Sequence, residues 1–147
     1  MNLFGVMQVS GSALGAERIR SEVTAANLAN AESTHTEEGG PYRRKQVVFA
    51  SQNAPSFQNT LAGAGESHGS QPRGVVVRDV VSDPAPPIMR YEPSHPDANE
   101  AGYVAYPNIN PVAEMTDLLS AVRSYQMNVA AVNASKQMIA QSIDILR

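Results

Sequence analysis

At 147 residues the chain has room for one ordinary domain, and it is 42% hydrophobic but only 5% aromatic, with no tryptophan. A formal charge of −3 gives no electrostatic argument for nucleic acid or an anionic membrane. The absence of cysteine excludes disulfide scaffolds, thiolate metal sites and cysteine nucleophiles together, and no run of 18 apolar residues offers a membrane span.

The segment Leu3 to Ala16 is fairly apolar and ends in Ala13-Leu14-Gly15-Ala16, but its first basic residue is Arg18. Without a positive n-region it does not read as a cleaved secretory signal. All ten prolines lie between Pro41 and Pro111. Proline is excluded from helix interiors, so the two ends read as helical and the middle does not. The expected map is an N-terminal helix over 1–33, a β-rich middle over 34–110 and a C-terminal helix over 111–147. The fold class is mostly α with a small β insertion, its long terminal helices paired as a coiled-coil-like bundle.

Residues 3 to about 31 read as the first helix. Val6, Val9, Ala13, Ala16, Ile19, Val23 and Ala26 step by three or four along one face. Most of them are small, and Gly11 and Gly15 add to this. Small side chains let two helix axes approach closely, while each glycine lowers helix propensity by about 1 kcal/mol relative to Ala. This helix is therefore weak alone and orders only against a neighbour. Asn27 and Asn30 are suited to hydrogen bonding across a helix interface, and Asn30 also to a helix C-terminus. Ser33, Thr34, Thr36 and Gly39-Gly40 end the helix.

From Pro41 the period changes. Tyr42 to Phe49 reads as a strand, whose Arg43, Arg44 and Lys45 make either a charge-protected edge or a dock for an acidic partner. Residues 51–73 are rich in Ser, Gly, Gln, Asn and Ala, too poor in large hydrophobes to offset ordering entropy, and read as a mobile loop. Gly74 to Val81 is a second strand, β-branched and bounded by Gly and Pro. Ile88 to Tyr91 is a short extended piece, and Gly102 to Tyr106 a third strand. Together they predict a short antiparallel β region set on the terminal helices.

The last third carries the strongest pattern. Met115, Val122, Val129, Lys136 and Ile143 recur every seven residues, as do Leu118, Tyr125, Val132, Ile139 and Leu146 three positions later. Only Lys136 among them is polar, so this is an a/d seam held over five heptads. Asn110 suits the N-cap and Pro111 the first helical position. Such a helix is roughly 55 Å long. A small domain cannot cover a rod of that length, so the seam asks for a partner helix. The first helix is the natural one, and other molecules bury what it leaves exposed.

Chemistry is sparse. His35 and His68 sit in polar loops. Glu92, His95, Asp97 and Glu100 gather in one loop that offers oxygen and imidazole ligands, although two prolines and Asp97 explain it as a turn. No G-x-S-x-G, phosphate-binding glycine loop or H-E-x-x-H is present. No catalytic, cofactor or metal residue is assigned.

Specific stretches resemble a known family. Ser12-Ala13-Leu14, Arg18 and Ala25-Ala26-Asn27-Leu28-Ala29-Asn30-Ala31 are similar to the N-terminal signature of the bacterial flagellar axial proteins of rod and hook. Asn108-Ile109-Asn110, Glu114-Met115, Arg123-Ser124-Tyr125-Gln126 and Asn128-Val129 resemble their C-terminal signature. Pro41 to Phe49, His95-Pro96-Asp97-Ala98-Asn99 and Gly102-Tyr103-Val104 are similar to the proximal-rod branch, which the short length also fits.

The resemblance implies a structural, non-enzymatic subunit of the basal-body rod. Its terminal helices would pack with other copies and with other rod proteins into a helical, periplasm-crossing drive shaft for motility. It also implies export through the flagellar type III apparatus without a cleaved signal, with no cofactor, no nucleic acid and no membrane insertion. A second reading is a soluble export adaptor offering a helix groove to a client. A third is a small metal-dependent enzyme built on the His95 loop.

Overall fold

The computed structural model describes residues 3–37, 39–52 and 74–145. Among these, six elements follow one another: α1 (Leu3–Ala29), β1 (Lys45–Ser51), β2 (Val75–Ser82), β3 (Ile88–Tyr91), β4 (Tyr103–Tyr106) and α2 (Pro111–Ile145). The chain is mostly helical with a small β insertion, as its proline distribution implies. Most of the segment read as a mobile loop, 53–73, falls outside the described residues, as does Leu146. Ser51, placed in that loop by its composition, instead ends β1, and Gln52 N–H donates to the Gly74 carbonyl at 2.8 Å.

α2 starts where its sequence says it should. Asn110 Oδ1 accepts from Val112 N–H at 3.0 Å and from Ala113 N–H at 3.4 Å, capping the helix ahead of Pro111. Its 35 residues span about 52 Å and the 27 of α1 about 40 Å. The helices run antiparallel: Asn27 near the end of α1 meets Glu114 near the start of α2, and Arg20, earlier in α1, faces Asp117. Counting equal rise from Asn27–Glu114 sets Leu3 beside roughly residue 138. The last turns of α2 thus extend past α1, and Ile143 there is exposed.

The β region is two separate ribbons. β1 pairs antiparallel with β2 from Lys45↔Ser82 to Ser51↔Val75, with a bulge where Val48↔Asp79 gives way to Phe49↔Val77. β3 pairs antiparallel with β4 from Ile88↔Tyr106 to Tyr91↔Tyr103. Gly102 turns this second hairpin at φ 80°, where an added Cβ would also press on the Tyr91 ring.

Little apolar surface holds this together. Among the described residues the buried hydrophobes are Ala16, Val104, Ile109 and Ala121. Beside them Ser10, Thr24, Asn27, Glu114 and Ser135 are also buried, and among the described residues no buried side-chain nitrogen or oxygen lacks a partner.

Candidate assembly interface

The junction of α1, β1 and α2 is built around Asn27. Its amide donates to the Lys45 carbonyl at 2.8 Å and to Glu114 Oε2 at 3.0 Å. Its Oδ1 accepts from Lys45 N–H at 2.9 Å and from the Tyr42 hydroxyl at 3.1 Å. Every hydrogen-bonding capacity of the side chain is used, and the two acceptor contacts fix which way the amide points. Glu114, 1% exposed, takes a second bond from Arg44 Nε at 2.6 Å. Arg44 and Arg20 both lie 3.8 Å from the Asp117 carboxylate. A buried carboxylate costs several kcal/mol unless paired and hydrogen-bonded, and here it is both. Burial, and then the Glu114 charge, raise the Tyr42 phenol above its ordinary pKa, so the hydroxyl keeps the proton it donates.

A second tie lies along α1. Ser12 Oγ donates to the Val9 carbonyl at 2.8 Å and accepts from Val75 N–H at 3.0 Å. This close approach is possible because residue 74 is glycine. A Cβ there would collide with Ser12 Oγ and lie 2.8 Å from Gln52 Oε1.

The expectation for Arg43 to Lys45 needs correction. Arg44 is neither a solvated edge nor a dock for another molecule; it meets the acidic side chains of its own α2. Arg43 is exposed, and Lys45 Nζ stands 5.9 Å from the Tyr42 ring centre. The His95 loop is likewise occupied by its own bonds. His95 Nδ1 accepts from Asp97 N–H, the Asp97 carboxylate accepts from Thr34, and Glu92 accepts from the Tyr106 hydroxyl. No group of three or more metal-ligating side chains converges among the described residues.

The helix seam is also rotated from its expected position. The face of α2 turned inward carries Glu114, Ala121, Asn128 and Ser135 every seven residues, with Asp117, Ser124 and Ala131 between. These precede the predicted stripe by one residue, or about 100° of helix. Of that stripe, Leu118, Val129, Val132 and Ile139 are half-buried at its margin, while Met115, Val122, Tyr125 and Ile143 are exposed, as is Lys136. On α1, Ala16 and Asn27 are buried and Val9, Ala13, Val23 and Asn30 half-buried, but Val6, Ile19 and Ala26 are exposed. The physical reason is that small faces small. Serine and alanine stripes let the helices approach, and their hydroxyls bond back to their own helix, as Ser135 does to the Ala131 carbonyl at 2.9 Å. Glu114 and Asn27 must face the ribbon that satisfies them, and this fixes the rotation.

Several of the large apolar side chains are thereby left outside. Val112 (72% exposed), Met115 (53%), Leu119 (59%) and Val122 (41%) form one continuous flank of α2 at helical spacing. Behind it Thr116, Leu119, Ser120, Arg123, Ser124 and Met127 line a shallow groove of about 320 Å³. On α1, Phe4, Val6 and Ile19 are exposed as well. Contiguous apolar flanks of this size on a small chain mark contact surfaces rather than an active site. Reasoning from heptads located the apolar stripe but missed the polar seam. The signal for it was the two carboxylates Glu114 and Asp117, three residues apart near the start of α2.

Comparison with known proteins agrees with that character. Residues 7–35 match the family model described as flagella basal body rod protein, and residues 100–145 match the C-terminal model of flagellar basal body rod FlgEFG proteins. Over 149 residues the chain is 40% identical to the flagellar basal-body rod protein FlgC of Bacillus subtilis, covering 99% of each. It is 41% identical over 145 residues to the FlgC of Escherichia coli O6:H1, covering 99% of this chain and 98% of that one. To the FlgC of Borreliella burgdorferi it is 36% identical over 152 residues, covering 100% and 99%.

Proposed function

The chain belongs to the FlgC family of flagellar basal-body rod proteins, and from that membership we propose how it assembles. It is a structural subunit of the basal-body rod. We propose that it joins copies of itself and other rod proteins through the outer flanks of its terminal helices, in heterologous, head-to-tail contacts that build an open helical shaft across the periplasm. Its work is mechanical and involves no catalysis, and it reaches its place through the flagellar type III export apparatus.

One observation carries this reading: Val112, Met115, Leu119 and Val122 of α2 sit on an exposed flank that α1 does not cover. Two helices whose shared face is Ala, Ser, Asn and Glu gain little from burying it, so the apolar stabilisation must come from neighbours. An export adaptor would remain a monomer or a closed dimer, whereas this subunit should form open-ended oligomers as concentration rises.

The test uses the absence of native cysteine. Leu119→Cys, carried by a motile strain, should be captured to a neighbouring subunit in isolated basal bodies by a heterobifunctional cross-linker that joins its thiol to whatever side chain lies within reach, so that the neighbour needs no cysteine of its own. A cysteine at half-buried Ala131 should not. Equal capture at both, or at neither, contradicts the proposal.

A further inference from the structure

The two ties to α1 lie at opposite ends of the same ribbon. Asn27 holds the start of β1 and Ser12 the start of β2, which pairs with the end of β1. From Ser12 to Asn27 is about 22 Å of helix, and the seven residues of β1 span about 23 Å. The ribbon therefore lies along α1 with matched length, fastened at both ends. At the Asn27 end the same side chain reaches Glu114 of α2, and Arg44 just before β1 closes the ring on Glu114.

We propose that this ring is a conformational lock: α1 and α2 pair in their native register only when the β1–β2 ribbon is docked on α1. Pairing the helices without the ribbon would bury the Glu114 carboxylate without its cation and leave Asn27 without three of its four bonds, those to Tyr42 and Lys45. Sliding α1 by one heptad would take Asn27 from Glu114 altogether, and a single buried polar contact of this kind is enough to specify register in paired helices. The weakly apolar seam makes the lock decisive, since among the described residues the buried hydrophobes of the two helices are only Ala16 and Ala121, which oppose a slip weakly. The last turns of α1, β1 and the first turns of α2 thus open and close as one unit. The lock is a property of the single chain, whatever that chain assembles with.

Hydrogen exchange by mass spectrometry on the purified full-length chain tests this, followed over residues 24–29, 45–51 and 111–118. Asn27→Leu keeps the side-chain size and removes all four bonds. It should speed exchange at least tenfold in all three segments by a common factor. Tyr42→Phe removes one bond and should speed the same three segments about two- to fivefold, again together. Acceleration confined to the neighbourhood of the substituted residue, with either of the other two segments at the parent rate, overturns the lock. Should Asn27→Leu unfold the chain outright, the milder Tyr42→Phe decides by the same criterion.

Discussion

Gly74 shows how much a single missing Cβ can matter. With alanine there, either Ser12 or the start of β2 must move, because the new methyl meets the Ser12 side chain and Gln52. The expected cost is about 1–3 kcal/mol, typical of overpacking, and a urea unfolding midpoint should fall accordingly. Tyr42 makes a pH prediction. Its phenol is shifted upward in the folded chain, first by burial and then by Glu114. A folded pKa above the unfolded one contributes stability that is complete below the unfolded value, about 10, and is lost as pH rises through the folded value. Stability should therefore decline above about pH 10, and less steeply in Tyr42→Phe. An equal alkaline slope in both proteins would show that Tyr42 is not the group responsible.

The elements divide into an inner seam and an outer flank of α2, and two substitutions separate their duties. Leu119 is exposed, so Leu119→Asp should change monomer stability by no more than about 0.5 kcal/mol, yet abolish swarming by preventing subunit contact. Val129 lies at the margin of the seam, half-buried. Val129→Asp places a charge where only part of it is hydrated, so circular dichroism should already show a loss of stability in the monomer. Reversal of that order would mean the inner and outer faces have been confused. If 55–70 is the loop that its composition indicates, removing about ten residues there should leave motility intact, because loop-closure entropy varies slowly with length.

The elements themselves were legible in the residues. Proline confined to the middle set the helical ends, Asn110-Pro111 marked the start of α2, the change of period after Pro41 located β1, a β-branched run bounded by Gly and Pro located β2, and short extended stretches located β3 and β4. Which face of α2 turns inward was not legible, since heptad reasoning assumes that apolar residues are the ones buried. Here Glu114 and Asn27 outweigh Met115 and Val122, because an unpaired buried carboxylate costs more than an exposed methionine. That balance depends on Arg44, Tyr42 and Lys45, far away in sequence, and no local pattern announces it. The candidate interface was thus found as a stripe but assigned to both the inner and the outer contact.

At the scale of the molecule, buried hydrophobes are few and exposed ones many among the described residues, as expected if neighbours complete the chain in the way proposed. No helix among the described residues is long and apolar enough to cross a membrane. In a dilute monomer the ends of α1 and α2 far from the Asn27 junction should exchange amide hydrogens quickly, and assembly should slow them. Slow exchange along both helices of the monomer would argue for a self-sufficient fold.

A density map of the assembled rod, at a resolution that shows side chains, bears most directly on whether neighbours complete this chain. Met115, Leu119 and Val122 should be covered by the helix of an adjacent subunit, with Asn27 still bonded to Glu114 inside the chain. If those three side chains face solvent while the subunits touch only through the β ribbons, assembly through the outer helix flank is contradicted.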